Sequence, residues 1–524
     1  MRLRSGSALV LLLTVANAVL YCCVLPLWEG FDEPFHYGYV QSLSAGHRLP
    51  VVHRTPVSQE IRESLRLVPV SWLLHNSLPG SISFEQWFHL SAAKRQARSA
   101  ALAQLPPALQ HEPSDLLNYE AQQAPLAYIL LAPIDAAISG VHLRLRIFVM
   151  RLLVAVVSSA ALFFAANLLL RALGVNGAFR IAALACIFES QMLWASIAHI
   201  GNDWLAIPLS TWFLALLVLA TRESRRKYVL AVAAALAAGL LTKAYFLAFV
   251  PVLVVFGSMQ FFQRRIKNRT ALCGCLIVAL AALWYARNLT LYGSLSGTQE
   301  SIAGVSLSSA ADAFFHINWL TSTIDLFRWA LWTGNWSFVS FSRLTLNLEL
   351  ILLAAAFVLF LLRFRGITIG ERWALLACAA FFLGMVYQTC VTWVATNGQS
   401  RNAEPWYMQC ILPCLWALAF LGMQRGGRAG RILAAGIVLI AAWIAAATYL
   451  LKLIPLYGGF AGRSTLPAVF AWWRHVPFEA LSVTLLGPLT LMFAALGVFL
   501  LLLAVLNTIL LRRLLAPAGA TPHN

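Results

Sequence analysis

Long apolar runs, repeated down the whole chain, decide what this sequence can become. They lie at about 8–27, 148–170, 181–199, 204–220, 228–246, 247–262, 271–286, 347–362, 373–390, 408–423, 432–451 and 483–511. A helix needs roughly 17–25 apolar residues to cross the hydrocarbon of a bilayer, where no water can satisfy a bare backbone. Continuous runs exclude a transmembrane β-barrel, whose strands alternate in polarity. Of 524 residues 60% are hydrophobic and only 11% charged, with a mean hydropathy of +0.76. That composition also excludes a soluble enzyme, a disordered chain and a collagen-like chain. The expected fold is an all-α polytopic membrane protein with about 12 transmembrane helices.

The net charge of +18 does not point to nucleic acid, because the basic residues fall as short clusters between apolar runs. Alternate connections hold Arg171 and Arg180; Arg222, Arg225, Arg226 and Lys227; Arg264, Arg265, Lys267 and Arg269; Arg363, Arg365 and Arg372; Arg425, Arg428 and Arg431; Arg512 and Arg513. Only Glu223 and Glu371 stand against them. Cytoplasmic loops are Lys/Arg-rich, so this alternation places both termini in the cytoplasm. Ala16-Asn17-Ala18 mimics a cleavage site, but the apolar run continues beyond it, so the first helix is expected to stay uncleaved. The nine cysteines form no CxxC pair and fit membrane-core packing. Asn268, Asn288 and Asn335 stand in Asn-x-Ser/Thr sequons that are read as chance, since Asn268 is cytoplasmic in this topology.

The segment Ala124–Val141 is apolar, yet it contains two prolines and Asp135. A crossing there would flip every later basic cluster to the outside, so it is expected to lie along the outer leaflet. The first outer loop then spans 28–147. The other long outer loops, 287–346 and 452–482, carry Trp319, Trp329, Trp332 and Trp336, then Trp472 and Trp473. Tryptophans at this depth ordinarily anchor a protein among lipid headgroups.

Ionisable residues gather at the outer ends of the runs. The first loop opens Trp28-Glu29-Gly30-Phe31-Asp32-Glu33-Pro34-Phe35-His36-Tyr37. Pro34 suits the first turn of a helix, with Asp32 or Glu33 at its cap, where the helix dipole and backbone N–H groups favour ionised carboxylates. Further on stand Glu120, Gln123 and Tyr128, then Arg144, Arg146 and Arg151 on the side the positive-inside rule disfavours. These arginines ask for a partner, and an anionic lipid or phosphate is the natural one. Asn202-Asp203, Thr242-Lys243, Trp284-Tyr285-Ala286-Arg287-Asn288 with Tyr292, and Gln399 to Tyr407 with Arg401 occupy the same depth. Acid and base thus converge on one face from six helices.

In these motifs the sequence resembles the GT-C superfamily of integral-membrane glycosyltransferases, nearest the branch of protein O-mannosyltransferases and lipid A aminoarabinose transferases. The likeness rests on Asp32-Glu33, Gln123-Ala124-Pro125-Leu126-Ala127-Tyr128, Arg151-Leu152, Asn202-Asp203, Gly239-Leu240-Leu241-Thr242-Lys243, Trp284 to Gly293 and, in part, Trp406-Tyr407 to Pro413. Gln123 and Ala124 depart from the basic residue and first proline of the aminoarabinose branch. The resemblance covers roughly residues 8–420. It implies a GT-C-like catalytic region at 1–423, followed by C-terminal helices at 424–524 with the outer loop 452–482. It also implies a polyprenyl-phosphate sugar donor, a lipid, glycan or protein acceptor outside the cytoplasm, and inversion by a single displacement.

Within that reading Asp32 is the expected base for the acceptor hydroxyl, with Glu33 sharing or orienting. Arg151, Lys243, Arg287 and Arg401 are the expected cations for the leaving phosphate. His36, Glu120, Gln123, Tyr128, Asn202, Asp203, Asn288, Tyr292 and Tyr407 are further pocket candidates. Asp32, Glu33 and His36 offer metal-ligand chemistry, but capping and base chemistry already account for them, so no metal or cofactor is expected. Alanine-, leucine- and arginine-rich usage suggests a bacterial inner membrane. The competing readings are a lipid-linked glycan flippase or secondary transporter, and a non-catalytic partner in envelope assembly.

Overall fold

The computed structural model describes residues 3–46, 48–223, 226–297, 304–337, 339–362, 366–462 and 465–516. Arg225, Arg363 and Arg365 of the basic clusters lie outside the described residues. Among the described residues, nine helices are long and apolar enough to cross a membrane, or ten if the bent pair Gly177–Glu189 and Gln191–Ile197 is one crossing. The chain is a multi-pass membrane protein. The expected count of 12 is not reached, because two of the runs form helices of only 15 and 14 residues, Arg226–Leu240 and Leu412–Arg425. The first stops where Thr242-Lys243 interrupts the apolar stretch. The second is preceded by the tight 3₁₀ turn Pro405–Cys410.

The first helix, Leu3–Val24, packs on Leu143–Leu173, Gly177–Glu189 and the last helix, Leu489–Leu515. Leu143–Leu173 packs in turn on Asp203–Arg222, which lies against Arg226–Leu240 and Ile369–Ala395. Backbone groups freed at breaks find side-chain partners, as burial in a low-dielectric interior requires. At the 58° bend around Ser190, the Phe188 carbonyl accepts from the Asn17 side chain at 3.2 Å and from the Trp194 indole at 2.8 Å.

The first outer loop folds into short helices and two small two-stranded sheets. Leu126–Ala137, within the segment expected along the outer leaflet, is a 12-residue helix, too short to span. Its Asp135 is buried and accepts from the Tyr37 and Ser44 hydroxyls, each at 2.7 Å. Arg146 and Arg144 do not wait for a phosphate. Arg146 is fully buried against Glu60 at 2.5 Å, and Arg144 donates to the Ser99 hydroxyl and the Ser482 and Leu485 carbonyls. Nor are all the loop tryptophans headgroup anchors. Trp332 is buried and donates to Thr448 at 2.9 Å, and Trp336 is buried as well, whereas Trp329 is 43% exposed.

Small residues set the closest helix contacts. A Cβ on Gly422 would stand 2.6 Å from the Phe360 amide nitrogen and 2.8 Å from the Ala356 carbonyl oxygen, atoms of the facing helix that cannot turn away. Gly422→Ala is expected to destabilise the protein by about 1–3 kcal/mol through overpacking. Gly436→Ala, whose nearest atom is a leucine methyl at 3.9 Å, is expected to be neutral or slightly stabilising, as helical Gly→Ala changes usually are. Unfolding midpoints of the two variants in detergent check this pair.

Candidate active site

Between the first helix and Glu33–Gly46 the chain turns sharply through residues 25–32. Asp32 takes a left-handed backbone (φ 54°), and its carbonyl accepts from the amides of Phe35 at 3.0 Å and His36 at 3.1 Å, so it caps the second helix. Non-glycine residues seldom adopt that conformation, and where they do the surroundings hold them there. Gly30 is obligatory at the turn: a Cβ would sit 2.5 Å from the Cβ of His199.

Arg151 holds the turn from below. Its Nε donates to Glu33 Oε1 at 2.7 Å, and its Nη2 donates to Glu33 Oε2. The guanidinium also donates to the carbonyls of Leu25 at 2.7 Å and Pro26 at 2.9 Å. The Ile200 amide adds a bond to Glu33 Oε1 at 3.1 Å. Both side chains are 0% exposed. This corrects two expectations: Arg151 is not presented to a phosphate, and Glu33 is not presented to an acceptor, because each is consumed by the other. The Asp32, Glu33 and His36 trio likewise does not converge on one point.

Asp32 faces a cleft of about 470 Å³ and accepts a hydrogen bond from the Tyr119 hydroxyl. The cleft is lined also by His36, Glu120, Gln123, Asp203, Lys243, Glu404, Tyr407 and Trp336, with Leu73, Leu74, Leu78, Leu116 and Leu117 as an apolar side. Asp203 opens the helix after the Gly201-Asn202 turn, and Lys243 lies in the break between Arg226–Leu240 and the 3₁₀ turn Ala244–Phe249. The Lys243 ammonium donates to Asp203 at 2.7 Å, and the Tyr245 hydroxyl donates to the other carboxylate oxygen at 3.0 Å. The same ammonium lies 4.9 Å from the ring centre of Tyr407 and 5.3 Å from that of Tyr245, within cation–π range.

Behind this front lies a polar floor. Gln123 donates to Glu120 at 2.8 Å and accepts from Asn202 at 3.0 Å. His36 and the Tyr128 hydroxyl share a bond of 2.8 Å, and the Tyr128 ring stacks on Tyr39 at 4.1 Å. Burial, with Lys243 and His199 nearby, holds the His36 imidazole well below its ordinary pKa, so it is neutral beside Glu120. Among the described residues lining the cleft, four carboxylates (Asp32, Glu120, Asp203 and Glu404) thus face one permanent cation, Lys243.

Other expected residues stand elsewhere. Arg287 donates to the Pro50 carbonyl at 3.0 Å and packs on Trp284 at 4.5 Å, off the cleft lining. Arg401 is exposed and also off the lining. Asn288 donates to the Ser296 carbonyl, and the Tyr292 hydroxyl accepts from the Val52 amide at 3.3 Å. Sequence reading missed Tyr119, Tyr245, Glu404 and the Phe31–Trp406 stack, whose ring centres are 4.3 Å apart. One signal was present: Glu404-Pro405-Trp406 repeats the acid–proline–aromatic order of Glu33-Pro34-Phe35.

A second cavity, about 230 Å³, adjoins the first and shares Gln123, Lys243 and Tyr407 with it. Its walls are largely apolar, including Leu247, Ala248, Phe381, Met385 and Val391. It lies between two helices of spanning character, Ala244–Phe262 and Ile369–Ala395.

No protein-family model matches the chain, and no curated protein matches it by sequence. Solved structures do match by shape. ArnT from Cupriavidus metallidurans bound to undecaprenyl phosphate aligns over 97% of this chain and 76% of its own, at 14% identity and a TM-score of 0.50. The apo form of that protein aligns over 91% and 74%, at 14% identity and 0.41. The apo oligosaccharyltransferase of Archaeoglobus fulgidus aligns over 91% and 56%, at 12% identity and 0.40. The chain shares the fold of the first of these, a polytopic helical architecture.

Breaking the Glu33–Arg151 pair from one side leaves a buried charge without its counter-ion. Glu33→Ala is therefore expected to cost about 3–5 kcal/mol, seen as a large fall in folded yield and melting midpoint. A Glu33→Ala variant as stable as the parent would remove the structural role assigned to the pair.

Proposed function

We propose that the chain is a membrane glycosyltransferase that moves a sugar from a polyprenyl-phosphate-linked donor to an extracytoplasmic acceptor. The observation that carries this reading is that the Asp32 carboxylate and the Lys243 ammonium enter one cleft, while Lys243 also borders an apolar groove. A donor with a charged head and a hydrocarbon tail fits that junction, its phosphate at Lys243 and its first prenyl units against Leu247, Phe381 and Met385. Lysine has three N–H donors, and the bond to Asp203 uses one. The fold shared with a structure solved with undecaprenyl phosphate supports the same chemistry.

The reaction balances on these groups. The acceptor hydroxyl gives its proton to Asp32 while its oxygen bonds to the anomeric carbon. The bond from that carbon to the phosphate oxygen breaks, and the lipid phosphate leaves with the electron pair. Lys243 offsets the added charge in a setting where water screens it little. One displacement inverts the anomeric centre. Tyr119 orients Asp32, and Gln123, held by Glu120 and Asn202, takes the place of a cation in the motif. Every described cleft-lining residue falls within 1–423, which we assign as the catalytic region; 424–524 braces it, as in the Arg95–Glu479 ion pair at 2.6 Å. The distribution of basic residues supports cytoplasmic termini and an outward-facing cleft, and the alanine-, leucine- and arginine-rich composition supports a bacterial inner membrane. Transport is disfavoured by the bend at Ser190, whose Phe188 carbonyl is taken up by the Asn17 and Trp194 side chains, whereas transporters use broken helices to bind cargo.

The test is transfer from a labelled pool of lipid-linked sugars by purified protein in proteoliposomes. Asp32→Asn is expected to lose ~10²–10⁴-fold in rate, and Lys243→Met to lose rate as well while weakening donor binding. Wild-type rates in Asp32→Asn would eliminate Asp32 as the base. If the parent protein transfers no sugar from any donor, the transporter reading gains.

A further inference from the structure

Glu29 takes no part in the chemistry above, yet it ties two walls of the cleft together. It lies three residues before Asp32 and is fully buried. Its carboxyl Oε1 accepts from the Ser337 amide at 2.7 Å, and its backbone carbonyl accepts from the Trp336 amide at 3.2 Å. Two consecutive amides of a distant turn are thus bound by one residue of the opening loop. That turn closes at the Gly334–Val339 bridge and points Trp336 into the cleft lining. Its other ties are polar but uncharged. Asn335, left-handed at φ 50°, accepts from the Tyr21 hydroxyl and donates to the Tyr457 hydroxyl at 2.9 Å, and the Thr333 amide donates to Gln191 at 3.0 Å.

We propose that Glu29 is a positioning residue: it clasps the turn at Gly334–Ser337 so that Trp336 stands as a fixed wall of the cleft that Asp32 enters, and so sets the fit of whatever is bound there. Removing the carboxyl leaves the Ser337 amide without its acceptor. Glutamine keeps the acceptor and loses only the proton equilibrium. The groups facing Glu29 are the Ser337 hydroxyl and amide, the Tyr457 and Tyr21 hydroxyls and, farther off, the Arg151 cation. Burial outweighs all of them and pushes the Glu29 carboxyl up to about 8 from its usual 4.5. A carboxyl raised on closure favours the closed turn most at low pH. The clasp therefore weakens as pH rises from about 4.5 to about 8 and is level above that.

Amide hydrogen exchange of the full chain in detergent, corrected for intrinsic rates, tests this without requiring activity. In Glu29→Ala the Trp336 and Ser337 amides are expected to exchange at least about tenfold faster, the loss of roughly one hydrogen bond. Glu29→Gln is expected to keep the parent's protection near pH 5. In the parent, protection falls by up to about tenfold per pH unit across the window, and in Glu29→Gln it stays flat. Unchanged protection in Glu29→Ala overturns the clasp; where that variant does not fold, equal pH slopes in parent and Glu29→Gln overturn it. A transfer assay adds a second arm, which rests on the function proposed above. Trp336→Ala and Glu29→Ala are each expected to raise the acceptor KM more than they lower kcat, and the double variant to be no worse than Trp336→Ala alone. Additive effects would count against the clasp. Altered exchange with no transfer by any protein would leave the clasp standing and remove the function.

Discussion

The guanidinium of Arg151 is the point on which the cleft depends. The first helix ends with carbonyls that its own turns cannot pair, and the second begins at a carboxylate. A cation at one helix C-terminus and an anion at the next N-terminus are each favoured by the peptide dipoles. Arg151 meets both at once, through Leu25, Pro26 and Glu33. A charge fully removed from water is tolerated only with this degree of pairing. Its effect is geometric: the turn that places Asp32 cannot relax without stripping a buried ion of its partners.

The rest of the site follows a similar rule. Asp32 caps a helix, Asp203 opens one, Lys243 fills a break, and Glu404 precedes a 3₁₀ turn. Each is a place where the backbone has stopped satisfying itself and polar side chains become affordable in an apolar protein. Reactive groups therefore cluster where helices end, and the apolar spans serve to bring those ends to one level.

Much of the fold was legible because spanning helices advertise themselves by length and hydrophobicity alone. Two runs misled, at 228–246 and 408–423: the first is broken before Lys243, and the second starts its helix late, after the 3₁₀ turn Pro405–Cys410. The meeting of Asp32 with Lys243 could be read from motif order and common depth. The role of Arg151 could not: an arginine on the disfavoured side suggests a ligand, and nothing local announces that its partner lies 118 residues earlier. Arg287 and Arg401 misled in the same way, because depth in the membrane does not report which way a side chain turns. Tyr119 was not singled out and Trp336 was read as a headgroup anchor, because each reaches the cleft through contacts distant in sequence, one to Asp32 and the other through Glu29.

The junction of the two cavities at Lys243 bears on how such a protein would be saturated. A ligand that enters along the apolar groove between two spanning helices is drawn from a two-dimensional phase. Its effective concentration is then a mole fraction within the leaflet, and diluting the bulk water leaves occupancy unchanged. Adding inert phospholipid would lower occupancy, in the manner of surface dilution.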